Sequence, residues 1–326
     1  MNMGGCYSYH YRTPSVRCEP AKPSWQTKLK KALSSEDRTL LTEAYKDFFT
    51  TSNSGFILEV AKIQGIKKAD DIPKEFPEIE YEFKFDLQVE GKGNEPGIDK
   101  YLSAFDFPVA KSARFLKDPV CIISTGTNRF YGTKGEEKLV VITKGGNIYL
   151  KEKGENLPLN VDVPFQDLVM KRGETRYPVT LDRAVDKMVE VAAKSGAIYQ
   201  GRIRKEKGDD FVLDTSDGRL YGFTITRAHL TKPADSKECG TQRQLEIEYA
   251  GYIPGFEGFK KDSEKQIVTG MVDLARYTFN MYLQTPINGS WQMKLIPTTE
   301  RKFDFVSEGP RKESARTQKL LEAKLN

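Results

Sequence analysis

Two stretches of this chain alternate charged and apolar side chains with a period of two: Glu78-Ile79-Glu80-Tyr81-Glu82-Phe83-Lys84 and, far downstream, Gln244-Leu245-Glu246-Ile247-Glu248-Tyr249. That period belongs to a strand, in which successive side chains point to opposite faces. Glu80, Glu82 and Lys84 therefore share one side, with Ile79, Tyr81, Phe83 and Phe85 on the other. In the second stretch Glu246 and Glu248 oppose Leu245, Ile247 and Tyr249. Carboxylates two residues apart on one pleated face repel each other unless a cation lies between them, and a hard divalent metal with oxygen ligands meets that need. A single Glu-x-Glu strand is ordinarily a half-buried strand with one wet face. Two of them, with basic strands between, ask for more than that.

The intervening basic stretches keep the same period. Lys138 to Thr143 and Asn147 to Lys153 read as a hairpin about Gly145-Gly146, with Tyr149, Lys151 and Lys153 on one face and Ile148 and Leu150 on the other. In Ile198 to Glu206, Gln200, Arg202 and Arg204 oppose Tyr199 and Ile203. A Thr215–Gly218 turn joins Phe211–Asp214 to Arg219–Arg227, and Pro119–Ser124, Trp291–Leu295 and Lys302–Val306 read as short strands. Arg227 and His229 alternate in phase with Tyr221, Phe223 and Ile225, which puts both outside the charged face.

Helical spacing appears from Ser35 (Leu40, Leu41, Ala44, Tyr45, Phe48, Phe49), in Phe56–Ile63, and in Leu181–Lys194, where Thr180 can cap, Gly196 stops, and Leu181, Val185, Met188 and Ala192 make the stripe. It appears again from Ser263, with Ile267, Met271, Leu274, Thr278 and Met281 on one side and Pro286 as the stop. Residues 1–24 read as an irregular leader and 311–326 as a charged surface helix.

Strands with one charged and one apolar face can pack in two ways. Charged faces outward give an ordinary core. Charged faces inward, in a closed barrel, leave apolar faces that helices must cover, and the chain supplies such helices. With 51 basic and 46 acidic residues the net charge of +5 is a mild bias, short of a dedicated nucleic-acid binder, that favours anionic ligands. His10 and His229 are the two histidines, which excludes a histidine-rich metal site. Four cysteines without metal spacing suit a reducing, cytoplasmic setting. No apolar run approaches the roughly 18 residues of a membrane span, so no membrane partner is expected.

Glu80-Tyr81-Glu82-Phe83-Lys84 resembles the Glu-x-Glu-x-Lys signature on the first strand of the CYTH superfamily, the triphosphate tunnel metalloenzymes. Glu246-Ile247-Glu248 is similar to the paired glutamates of that family's late strand. The resemblance implies an α+β fold, an eight-stranded antiparallel barrel covered by flanking helices, holding a triphosphate between basic side chains and Mg²⁺ or Mn²⁺. It implies a tunnel domain over residues 76–255, between an N-terminal leader and helical segment (1–75) and a C-terminal helical extension (256–326). It implies Glu80, Glu82, Glu246 and Glu248 as metal and catalytic ligands, and Lys84, Lys151, Lys153, Arg202 and Arg204 as phosphate contacts. Lys151-Glu152-Lys153 departs from the family's usual Arg-x-Arg pair and gives up bidentate phosphate recognition. The expected activity is hydrolysis of inorganic or organic triphosphate. Alternatives are an RNA 5′-triphosphatase, a nucleotide cyclase, or a polyphosphate-binding module without turnover.

Overall fold

A computed structural model describes residues 24–35, 37–52, 55–67, 71–110, 113–118, 122–233, 238–253 and 263–308. The strands are β1 (Ile79–Gly91), β2 (Phe115–Lys117), β3 (Ile122–Thr133), β4 (Glu136–Lys144), β5 (Asn147–Asn156), β6 (Val169–Val179), β7 (Ile198–Asp214), β8 (Arg219–Thr231), β9 (Gly240–Tyr252), β10 (Gln284–Asn288) and β11 (Trp291–Thr298). Eight of them close a ring in the order β1-β6-β5-β4-β3-β7-β8-β9, with β9 pairing back onto β1 and every ladder antiparallel. Closure removes the exposed strand edges that an open sheet would present.

β1 changes neighbour half way along one of its edges. Ile79 to Phe83 pair with β6, Lys84 to Gly91 pair with β11, and the opposite edge pairs with β9 through Glu82 to Asp86. A strand that occurs late in the sequence therefore lies beside the first strand of the ring and delivers the residues after Thr298 to one barrel end.

The apolar faces point outward, as the inverted arrangement requires. Tyr81, Phe83, Phe85, Leu245, Ile247 and Tyr249 are buried beneath α6 (Ser263–Tyr282), whose Ile267, Met271, Leu274 and Thr278 face them. Met281, expected in that stripe, is 52% exposed. α6 ends at Tyr282, before the expected stop; Pro286 lies in β10 next to a register shift, a place where a strand tolerates the missing N–H. On the far side, α5 (Leu181–Ser195) packs Ala184, Met188 and Val191 on Leu139, Val141 and Leu150. Its Leu181 and Val185, assigned to the packed stripe from spacing, are exposed. No described helix is long and apolar enough to cross a membrane.

Three helices, α1 (Trp25–Ser35), α2 (Arg38–Thr51) and α3 (Phe56–Ile63), form a second core against Leu116, Leu213, Leu220 and Ile253. α1 lies in a stretch whose spacing assigns no element; α2 is capped by Asp37, whose carboxylate accepts the Thr39 and Leu40 N–H groups. The leader up to residue 23 and the tail 311–326 lie outside the described residues, as do Pro119–Cys121 of an expected short strand. That strand, β3, runs from Ile122 to Thr133, much longer than its alternation suggests. β6 likewise lies in a stretch to which alternation assigns no strand. Lys302–Val306, expected to be a strand, belongs to a helix, α7 (Lys302–Glu308). Its Phe303/Phe305 alternation imitates a strand, but the Asp304 carboxylate accepts the Arg301 N–H at 3.0 Å and caps the first turn.

The seam between the helices and the barrel holds two buried acids. Asp118 accepts the N–H groups of Phe56 (2.8 Å) and Ile57 (3.2 Å), supplying the cap that Gly55 lacks at the start of α3. Lys117 pairs with Asp210 at 3.0 Å, and Tyr45 donates to the Lys117 carbonyl. Burial, then the nearby Asp210 carboxylate, push Asp118 up to about 7, while burial raises Asp210 to about 6. An acid whose folded pKa exceeds its unfolded one binds more protons when native between the two. Stability is then fullest near pH 4 and declines as pH climbs to about 7, by on the order of 4 kcal/mol for the Asp118 shift. Urea unfolding at pH 5 and pH 7.5 is expected to show that decline, and Asp118→Asn is expected to flatten it.

Candidate functional site

Alternation along each barrel strand carries one set of side chains inward. β1 contributes Glu80, Glu82 and Lys84, and β9 contributes Glu246 and Glu248. β5 contributes Lys151 and Lys153, β6 Arg172, and β7 Lys205 and Lys207. Asn128 and Glu137 line the same interior, and Arg301 and Lys302 reach it from beyond β11. Eight basic and five acidic side chains line this space, and Glu174, Asp209 and Asp304 at its edge pair with Lys151, Lys207 and Arg301.

The interior is held by ion pairs. Glu80 takes the Arg172 guanidinium and lies 3.4 Å from Lys153 and 3.7 Å from Lys151. Glu82 pairs with Lys84 at 3.1 Å and with Arg172 at 3.3 Å. Glu174 binds Lys151 at 2.6 Å and Lys153 at 3.4 Å, and Glu246 pairs with Lys302. Burial by itself would push the carboxyls up, yet Lys153, Lys151 and Arg172 hold Glu80 well below the usual carboxylate range. Lys84 and Arg172 likewise outweigh burial and the Glu80 charge to hold Glu82 at about 2.

Two groups lack that compensation. Glu248 stands directly opposite Glu82 in the β1–β9 ladder, and burial, then the Glu80 carboxylate, raise it. Lys205 makes no ion pair among the described residues. Burial, then the Lys207 and Lys151 ammoniums, push it down to about 7.

The donor set tests the metal expectation. The four glutamates are hard oxygen ligands of the kind Mg²⁺ and Mn²⁺ prefer, and facing carboxylates at Glu82 and Glu248 favour a cation between them. Among the described residues no three carboxylates converge tightly enough to hold one ion as they stand, because Lys84, Lys153, Arg172 and Lys302 engage them. The chemistry of the donors fits, and the carboxylates must exchange their internal partners to use it. The cavity is about 80 Å³, room for two or three waters at roughly 30 Å³ each. An anionic ligand enters only as the lysines turn from carboxylate to ligand.

Seven of the nine expected residues meet in this interior: Glu80, Glu82, Glu246, Glu248, Lys84, Lys151 and Lys153. Arg202 and Arg204 do not. Both are exposed on the outer face, where Arg204 binds Glu238 and Glu206 at 3.1 Å. Their alternation is real, but the phase is inverted: Ile203 faces inward, because this barrel end is filled with apolar side chains. Lys205 and Lys207, of the same phase as Ile203, are the strand's cations inside the tunnel. Arg227 and His229 lie outside, against Glu206, as their phase with Phe223 requires. Arg172 is absent from the expected set although Met170, Arg172 and Glu174 alternate with Val169, Lys171 and Gly173. Arg301 and Lys302 carry no local signal, since only the β1–β11 pairing brings them here.

No protein-family model matches the chain, and no curated protein matches it. Among solved structures it is similar to the PH1012 protein from Pyrococcus horikoshii OT3, at 15% identity and TM-score 0.33, over 60% of this chain and 88% of that one. It is similar to the PH1819 protein of the same organism, at 14% identity and TM-score 0.31, over 75% and 99%. It is also similar to the Pct1 RNA triphosphatase of S. pombe, at 11% identity and TM-score 0.29, over 72% and 91%. Superpositions this loose carry nothing about chemistry. The chain's own closed eight-stranded ring, with the Glu80-Tyr81-Glu82-Phe83-Lys84 stretch turned inward on its first strand, has the barrel architecture that the resemblance of that stretch implies.

Proposed function

We propose that the tunnel binds the triphosphate group of a small molecule and hydrolyses its terminal phosphoanhydride bond in a reaction that depends on Mg²⁺ or Mn²⁺. The observation that carries this reading is Lys205, buried inside the barrel beside Lys151 and Lys207 and without an ion pair among the described residues. A buried ammonium without a counter-charge is costly, and a polyanion relieves it.

Glu80, Glu82, Glu246 and Glu248 are the residues that would hold the divalent ion, which when bound supplies Lewis-acid polarisation of phosphoryl oxygens. The chain's own groups do the rest. Lys84, Lys151, Lys153, Arg172 and Lys205 neutralise the phosphate oxygens and fix the chain of phosphates in line. Glu248, which faces Glu82 across the β1–β9 ladder, takes the proton of the attacking water as its oxygen bonds to the terminal phosphorus. The bridging P–O bond breaks, and its electron pair leaves with the diphosphate, whose charge the lysines balance.

Incubation with tripolyphosphate and Mg²⁺ or Mn²⁺ is expected to release orthophosphate, and Glu80→Gln is expected to slow release by at least about 100-fold. No release with either metal, or a full rate in the variant, sinks the catalytic reading. Tight tripolyphosphate binding without turnover retains the binding half alone.

A further inference from the structure

Arg202 and Arg204, which do not enter the tunnel, belong to a patch on its outer wall where β3 and β7 run side by side. Phe130 and Ile203 pack inside against α7, so Arg129 and Arg202 point outward, and the ladder sets these two arginines directly opposite each other. Like charges in that position repel. Among the described residues neither makes an ion pair; Arg129 donates to the Thr143 hydroxyl at 3.2 Å. Across β4, β3, β7 and β8 the row reads Val141, Arg129, Arg202 and Thr231. The next row reads Thr143, Thr127, Arg204 and His229. No carboxylate stands in either.

The row on the other side is aromatic. Strict alternation would put Tyr199 inside with Ile203. A register shift opposes Tyr199 to Tyr131, leaves Gln200 extra and turns the Tyr199 ring outward, and Gly201 at φ +147° supplies the bend. Tyr131 packs at the edge of the seat of α5, and the two rings lie 5.5 Å apart at 47°. Both are half-buried, and next to them Ile198 is 66% exposed. Arg204 borders the patch at its far side, tied to Glu206 and Glu238.

We infer that this wall binds single-stranded nucleic acid, with bases stacked on Tyr131 and Tyr199 and phosphodiesters on Arg129 and Arg202. Successive rows on one face of a strand lie about 7 Å apart, the step of one nucleotide in an extended chain. Guanidiniums take phosphate oxygens in pairs, and a phosphate between the two arginines removes their repulsion. Aromatic faces accept any base, so the site holds a flexible strand without reading its sequence. An acidic polypeptide would satisfy the charges and leave the tyrosines without a use. The site lies outside the tunnel and does not depend on turnover of triphosphate there.

Fluorescence anisotropy of a 12-nucleotide single-stranded RNA with a 5′-hydroxyl, labelled at its 3′ end, tests this. Binding is expected to weaken about 7- to 20-fold between 50 and 200 mM salt, as two or three phosphate contacts require. Arg129→Gln/Arg202→Gln is expected to weaken it about tenfold or more at 50 mM salt and to reduce the salt dependence to about threefold or less. Tyr199→Ala is expected to weaken it about fivefold or more while keeping the salt dependence of the wild type. Lys205→Gln, inside the tunnel, is expected to bind the RNA as the wild type does. Absence of binding at 50 mM salt overturns the proposal, as does undiminished affinity in the double arginine variant. A loss in Lys205→Gln equal to that in the arginine variant puts the RNA in the tunnel and overturns it too. Displacement of the RNA by a 12-residue polyglutamate at equal concentration makes an acidic polypeptide the ligand instead.

Discussion

Replacing Arg172 by alanine is expected to destabilise the protein by about 3–5 kcal/mol at neutral pH, as removal of one partner from a buried ion pair does. The guanidinium is 3% exposed and reaches both Glu80 and Glu82, themselves 7% and 4% exposed. It also sits directly across the β1–β6 ladder from Glu80, at the point where the ring closes. Lys151, Lys153 and Lys84 remain near the two acids, which keeps the loss at the lower end of that range. The acid limb of the stability profile should change too. Carboxyls held below their unfolded pKa contribute stability that is complete above about pH 4.5 and is lost as pH falls towards about 2, the value at which Glu82 is held. Urea titrations of wild type and Arg172→Ala at pH 7 and pH 3 should show a smaller difference at pH 3. Equal unfolding midpoints at pH 7 would mean that the guanidinium bears none of the interior charge.

Substitution of Lys205 by glutamine is expected to cost tripolyphosphate affinity on the order of 2–3 kcal/mol, a Kd about 30- to 200-fold higher, because a charge-assisted contact in a water-poor site is lost. The pH dependence tells this apart from a packing defect. Burial and the neighbouring lysines hold the free amine at about 7, and a bound polyanion raises it, so binding takes up a proton above that pH. Wild-type affinity should be level below pH 7 and fall as pH climbs past it. Titrations between pH 6 and pH 9 should show that slope in the wild type and its absence in Lys205→Gln. A wild-type profile that is flat across the range would remove Lys205 from the phosphate contacts.

Strict alternation made the acidic half of the interior legible in sequence, because Tyr81, Phe83 and Phe85 cannot share a face with Glu80 and Glu82 on a pleated strand. The same rule misplaced Arg202 and Arg204. It sorts residues into two faces without saying which face is the inside, and the inward face of β7 is apolar at Ile203 and cationic at Lys205 and Lys207. Arg172 lay in a strand whose Gly173, Pro178 and mixed charges hid its period. Lys302 was beyond local reading altogether, since a helix of alternating pattern was carried to the site by a pairing between the first and penultimate parts of the fold.

The partner change along β1 also bears on how the molecule is made. Its Lys84 to Gly91 half waits for β11, so the first barrel strand to leave the ribosome stays incompletely paired until nearly the whole chain has been synthesised. Ring closure is then a late, long-range event of the kind that slows folding and exposes strand edges to other chains meanwhile.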